Sequence, residues 1–106
     1  MSTGTVGILS VELWLPQAHS LKEKRMVVRS VKDHLARRVG GSVAEVDHHE
    51  LWQRARLTIA CVAREVSEAE RLLDDAERWL GGQPTFELTR HDRALVRLED
   101  LEGVLA

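Results

Sequence analysis

The apolar and polar residues of this chain follow two periods in turn. Alternation with a period of two predicts four strands, at Val6–Leu15, Ser42–Asp47, Arg54–Arg64 and Thr85–His91. A period near 3.6 predicts two helices, one after Ser20 and one after Ser67. Pro16 ends the first strand, and a pair of glycines ends each helix.

Each predicted helix begins with a capping box, in which a serine accepts a hydrogen bond from the amide of a glutamate three positions on. The first box pairs Ser20 with Glu23, and the second pairs Ser67 with Glu70. We therefore expect both helices to begin directly after these serines.

Alternation also assigns the two faces of each strand. On the first and third strands, the residues expected to face the core are Gly7, Leu9, Val11, Leu13, Leu15, Leu57, Ile59 and Cys61. In the second strand we expect Ala44 and Val46 to face the core. Glu45 and Asp47 then lie on the outer face.

The element order is strand, helix, strand, strand, helix, strand. This is the split βαβ or ferredoxin-like pattern, an α+β fold in which a four-stranded antiparallel sheet carries two helices on one face. The chain has 106 residues, enough for one such domain. We place the domain at residues 1–92 and a polar tail at 93–106, in which Leu95, Leu98 and Leu101 stand at the spacing of a short helix.

Composition excludes several classes of protein. Cys61 is the sole cysteine, which excludes an internal disulfide framework and a cysteine-built zinc site. No apolar run approaches the roughly 20 residues of a membrane span, and no signal peptide is evident, so we expect a cytoplasmic protein. Because no catalytic signature, cofactor motif or small-molecule site is evident, we predict a protein that is not an enzyme.

Charge is distributed unevenly along the chain. The net charge of −2 combines +5 over residues 20–39, where seven basic side chains meet two acidic ones, with −7 elsewhere. On a helix, four of these cations fall within roughly 80° and form one basic ridge: Lys22, Arg25, Arg29 and Lys32. Such a ridge can follow a phosphate backbone, and an ordinary solvated face is the alternative. Lys24 falls inside the apolar stripe and is expected to reach out at the end of the sheet.

The outer face of the sheet is a second candidate surface. Its apolar side chains suit contact with a second copy of the chain: Val6, Ile8, Trp14, Ala60 and Val62. The third strand has no aromatic residue and the face carries carboxylates, so stacking of RNA bases on the sheet is not favoured.

Three histidines raise the question of a metal site. His48 and His49 are adjacent, and adjacent side chains on a strand point to opposite faces. His91 is the one further ligand candidate, whereas metal sites need three or four convergent ligands. A polar turn is therefore favoured over a metal site.

Three stretches carry a resemblance to a known family. SLKEKR at 20–25, VAEVD at 43–47 and LWQRA at 51–55 stand in the order and spacing of the YlxP-like family, small bacterial proteins classed as domain of unknown function 503. The resemblance spans residues 6–91 and implies a ferredoxin-like fold in a cytoplasmic bacterial protein. It also implies relatives that are often encoded beside translation initiation and ribosome maturation factors, and it supplies no catalytic residues.

The sequence favours a non-enzymatic binding module that acts near translation or ribosome maturation. Trp52 lies in the connection before Arg54, where it either stacks on a base or packs on the end of the sheet. The expected nucleic-acid contacts are Lys22, Lys24, Arg25, Arg29, Lys32, Trp52 and Arg54. The expected partners are ribosomal RNA or a ribosomal surface, together with a second copy of the chain. The alternative is a homodimeric protein-interaction module that uses the open sheet face without nucleic acid.

Overall fold

Four strands form one antiparallel sheet and two helices pack against it in the computed structural model, which describes residues 3–101. In chain order the elements are β1 (Thr5–Trp14), α1 (Leu21–Val39), β2 (Ser42–Asp47), β3 (Arg54–Ala63), α2 (Val66–Gly81), β4 (Glu87–Arg97) and a 3-10 turn (Leu98–Leu101). The strand order is β2-β3-β1-β4. This confirms the predicted α+β, ferredoxin-like βαββαβ fold.

The core lies between the sheet and the two helices. The predicted inner faces of β1 and β3 are confirmed, since Leu9, Leu13 and Leu57 are fully buried there. Burial of each such side chain stabilises the fold by about 1.5–3 kcal/mol. Among residues 3–101, neither helix combines the length and the apolarity that a membrane span requires.

The start of α1 confirms the first capping box. Oγ of Ser20 accepts from the amide of Glu23 at 3.1 Å. In a standard capping box the glutamate carboxylate accepts from the amide of the N-cap residue. Here Oε2 of Glu23 accepts from the amide of His19, one residue before the N-cap, at 2.6 Å. Gly40, at φ 65°, ends the helix in the left-handed conformation that a residue without Cβ adopts at little cost.

The second capping box is wrong. The α2 helix begins at Val66, its N-cap is Glu65, and no side chain caps it. The amide of Ala69 already donates to the carbonyl of Glu65 at 3.1 Å, so Ser67 lies inside the first turn. A serine in that position has helical backbone and cannot act as an N-cap.

The predicted faces of β2 are also wrong. Val43 packs against the core, whereas Ala44 and Val46 are exposed. The pairing with β3 shifts between Glu45 and Asp47, which leaves Val46 as the extra residue of a bulge. Of the two residues expected to face outward, Glu45 lies on the helix side, opposite Leu57, and Asp47 after the bulge lies opposite the outward Arg56.

The fourth strand is longer than predicted, so the start of the tail at Arg93 is wrong. Residues 93–97 pair with β1 from Leu9 back to Thr5. Nη1 of Arg93 donates to Asp74 of α2 at 2.8 Å, so a charged side chain in this edge strand is satisfied by a helix carboxylate. The tail helix is reduced to the single 3-10 turn as far as Leu101, and residues 102–106 lie outside the described part.

Candidate nucleic-acid interface

The predicted basic ridge lies along the solvent side of α1. Lys22, Arg25 and Arg29 are exposed, and Lys32 is half-buried. From Lys22 to Lys32 the ridge rises about 15 Å along the helix axis. It is therefore a rigid row of cations on the side of the molecule away from the sheet.

Most of the described cations outside the ridge have ion-pair partners. Arg38 forms two hydrogen bonds with Asp75, at 2.5 and 3.0 Å, and similar pairs bind most other arginines. Within residues 3–101, none of the four ridge cations forms an ion pair, and Arg37 of α1 and Arg71 of α2 share this property. The unpaired positive charge is thus concentrated on α1.

Lys24 does not extend to solvent, so that expectation is wrong. Its side chain is 1% exposed, and Nζ donates to the backbone carbonyl of His48 at 2.5 Å. Nζ also lies 2.8 Å from Oε2 of Glu45. This is a charge contact without hydrogen-bond alignment, since that oxygen accepts no hydrogen bond from a described residue. Lys24 therefore ties α1 to the connection between β2 and β3.

That connection, residues 48–53, lies at the same end of the molecule as the start of α1. The amide of Leu15 donates to the carbonyl of Gln53 at 2.8 Å, and Nε2 of Gln53 donates to the carbonyl of Pro16 at 3.0 Å. Trp52 is 53% exposed and Arg54 is 59% exposed. Trp52 is thus presented to solvent beside an arginine, on a loop that several hydrogen bonds hold in place.

The open face of the sheet has one apolar end. Val62, Val6 and Val96 form one row across β3, β1 and β4, and Val62 is 74% exposed. Ala60, Ile8 and Ala94 form the next row. Four of the five residues predicted for a dimer contact therefore lie together. Trp14 lies six residues beyond Ile8 along β1, a distance of about 20 Å.

The opposite end of the open face is polar. Nε2 of His48 donates to Oε1 of Glu12 at 2.7 Å, and this hydrogen bond holds the pKa of Glu12 below its ordinary value. Arg56 donates to Asp92 at 2.8 Å, which holds the pKa of Asp92 low as well. Glu12 and Asp92 are thereby neutralised in part by neighbouring cations or donors.

Sequence reasoning missed the contribution of β4 to this polar end. A pocket of about 380 Å³ opens there, lined by Glu12, Leu13, Trp14, Arg54, Thr89 and Arg90. β4 contributes Thr89 and Arg90 to this lining. The pairing of β4 with β1 shifts in register here, which makes Thr89 an extra, bulged residue. The apolar run Ala94-Leu95-Val96, with no glycine or proline between it and His91, was the signal that could have extended this strand.

The histidines have separate partners. His48 binds Glu12, Nε2 of His49 donates to the carbonyl of Glu45 at 3.1 Å, and Nδ1 of His91 lies 3.0 Å from Oε1 of Glu77. Within residues 3–101, no group of three His, Cys, Asp or Glu side chains converges as metal ligands would. Cys61 lies in the core, where burial raises the pKa of its thiol and disfavours the reactive thiolate.

The chain is similar to known proteins over most of its length. A family model described as "Protein of unknown function (DUF503)" matches residues 6–93. The "Uncharacterized protein YlxP" of Bacillus subtilis (strain 168) is 27% identical over 84 residues, which cover 79% of this chain and 91% of that protein. A solved structure of a REP-associated tyrosine transposase bound to a REP hairpin is similar with a TM-score of 0.42 and 14% identity. The match covers 98% of this chain, which spans 63% of the transposase chain.

Proposed function

Since the chain belongs to the DUF503 family of proteins of unknown function, we propose its role from the surface it presents. It is a non-enzymatic module that binds the phosphate backbone of RNA through α1 and acts near translation or ribosome maturation. The observation that carries this proposal is the row of four cations on α1 without an ion pair among residues 3–101. The single free cysteine, Cys61, suits the reducing cytoplasm in which such a module would act.

The affinity would come from counterion release. Each phosphate contact to single-stranded nucleic acid contributes about −0.7 to the slope of log affinity against log salt. Four contacts from the ridge therefore give a slope of roughly −3. A protein with a net charge of −2 shows such a slope only if its cations are gathered on one surface.

The loop at residues 48–53 extends this surface beyond the helix. Lys24 fixes the loop against the start of α1, so Trp52 and Arg54 are held at the same end as Lys22. On this proposal Lys24 positions the loop and does not touch RNA. Trp52 adds a stacking surface, and Arg54 adds a fifth phosphate contact.

Fluorescence anisotropy of labelled RNA tests the proposal. A 20-nucleotide single strand and a 20-base-pair duplex would be titrated with the protein between 50 and 300 mM KCl. We expect the triple variant Arg25→Glu, Arg29→Glu, Lys32→Glu to bind both more than tenfold less tightly at 100 mM KCl, with a slope shallower by about two.

A matched control separates the position of the charge from its amount. The variant Arg64→Glu, Arg71→Glu, Arg97→Glu changes the net charge equally but acts at exposed positions outside α1. It should lose less than threefold in affinity. Equal losses in the two triple variants, or no binding by the natural protein at 50 mM KCl, would refute the proposal.

A second candidate function is pairing of two copies through the apolar end of the sheet. The observation that favours it is the exposed row of Val62, Val6 and Val96 across three strands. Two copies related by a two-fold axis could bring these rows into contact with each other. Sedimentation equilibrium should then show a dimer that Val62→Asp converts to a monomer. Val46→Asp, also at an exposed valine, is the control that leaves the dimer intact. A monomer at every concentration of the natural protein excludes this candidate.

A further inference from the structure

A pocket lies at the Trp14 end of the sheet, and the proposed phosphate binding by α1 does not involve it. The extra residue Thr89 interrupts the pairing of β1 and β4 at this point, and its Oγ1 donates to the carbonyl of Glu12 at 3.2 Å. Bulges of this kind often lie beside binding sites because they redirect the neighbouring side chains. The volume of about 380 Å³ lies within the range of small-molecule pockets.

Trp14 supplies an aromatic wall. Its side chain lines the pocket on the open face and is 42% exposed, although large apolar side chains are normally buried. An exposed aromatic ring can stack on any nucleobase, which stabilises single-stranded nucleic acid complexes by about 1–3 kcal/mol per base.

Glu12 supplies an oriented hydrogen-bond acceptor. Its Oε1 is held at 2.7 Å by Nε2 of His48, while its Oε2 lies 4.0 Å from Nη1 of Arg54, beyond hydrogen-bond distance. An ionised carboxylate has about four acceptor positions, so both oxygens keep capacity for a ligand. The ligand that complements it carries two adjacent N–H donors.

The charges around the pocket favour a base over a free phosphate. Arg54, Arg56 and Arg90 face the same end as Glu12, Asp47, Asp92 and Glu87, and these seven charges sum to −1. Two of the arginines are bound to Asp92, at 2.8 and 3.2 Å. A site with a charge of −1 and one open carboxylate favours a neutral donor edge over a free phosphate, while Arg54 at the rim is left to meet a neighbouring phosphate.

We propose that the pocket formed by Trp14, Glu12 and Arg54 binds one unpaired guanine of a single-stranded RNA. The guanine stacks on Trp14 and donates its N1–H and N2–H groups to the Glu12 carboxylate. Adenine, cytosine and uracil lack this pair of adjacent donors. The inference rests on the proposed RNA-binding function and adds base recognition to it.

His48 joins the pocket to the basic ridge. Its side chain holds Glu12, and its backbone carbonyl accepts from Lys24 of α1. A strand that follows α1 toward Lys22 therefore reaches the loop and then the pocket without crossing the apolar end of the sheet. The phosphate contact and the base contact thus lie on opposite sides of the sheet, and the loop at residues 48–53 connects them at one end of the molecule.

Binding of labelled nonauridine RNAs with a central G, A, C or U tests the inference on the full chain at 100 mM KCl. We expect the natural protein to bind the G-containing strand about tenfold more tightly than the other three. Glu12→Gln should remove this preference. Trp14→Leu should weaken binding of the G-containing strand about tenfold, and Trp14→Phe should restore most of it. Thermal unfolding of each variant checks that the fold is retained.

Duplex RNA separates this inference from the proposed function. A duplex has no unpaired base, so Trp14→Leu and Glu12→Gln should leave its affinity unchanged, whereas the α1 triple variant should lower it. Equal affinity of the natural protein for all four single strands overturns the guanine site and leaves the phosphate contact standing. Absence of binding to every RNA at 50 mM KCl overturns both.

Discussion

Lys24 is the charged side chain whose removal should destabilise the protein most. Lys24→Met keeps a long aliphatic chain in the core and removes only the ammonium group. Glu45, which is 15% exposed, then loses its cation, and the carbonyl of His48 loses its donor.

The expected loss is about 3 kcal/mol in the free energy of unfolding. Removing one member of a buried ion pair costs about 3–5 kcal/mol, because the remaining charge is left without compensation. The residual exposure of Glu45 lets water solvate it in part, which places the loss at the lower end. Replacing both members by apolar residues is often close to neutral, so adding Glu45→Met to Lys24→Met should recover about half of the loss.

Urea denaturation followed by circular dichroism measures this effect. With a slope near 1.5 kcal/mol per molar urea, a loss of 3 kcal/mol lowers the midpoint by about 2 M. Lys22→Met is the matched control, since Lys22 is exposed on the same helix, and it should change stability by less than about 0.5 kcal/mol. A loss below about 1 kcal/mol for Lys24→Met, or a double variant less stable than Lys24→Met, would refute the reasoning.

Three further outcomes are expected. Gly41→Ala should lower the urea midpoint strongly, because its Cβ would lie 2.1 Å from a backbone oxygen of β3, whereas Gly81→Ala, with no atom within 4 Å, should not. Arg38 holds the pKa of Asp75 below its usual 3.8. As pH falls, Asp75 is therefore protonated at a higher pH in the unfolded state than in the folded state, and the stability from this pair is lost below about pH 4. Asp75→Asn should therefore lose less stability than the natural protein between pH 5 and 3. Because burial raises the pKa of Cys61, its thiol should react with a disulfide reagent at pH 8 at least tenfold more slowly in the folded protein than in guanidinium, and equal rates would contradict the burial.

Elements with a clear apolar face were predictable from the sequence. In β1 and β3 every second residue enters the core, and no other arrangement buries that set. The start of α1 was predictable because the Ser20 cap and the apolar stripe agree on one position. The exposed cations of α1 follow from the same periodicity.

The remaining elements depend on contacts between distant residues. The sequence of β2 suggests that Ala44 and Val46 face inward. The buried Lys24 requires an anion, however, and the register of β2 against β3 places Glu45 opposite the inward Leu57 and beside Lys24. The end of β4 looks like a polar tail because Arg93 is charged, yet this side chain pairs with Asp74 of α2. The pocket beside Trp14 was hidden for the same reason, since it needs the register of β4 against β1.

The central position of β1 makes the order of synthesis important for folding. β1 leaves the ribosome before both of its partners, and it pairs along its whole length with β3 and with β4, which ends at Arg97. At about 5–20 residues per second, Trp14 waits roughly 4–17 s for its last partner strand. During that interval at least one edge of β1 has open backbone donors and acceptors, so the nascent chain passes through a stage in which it can pair with a foreign strand.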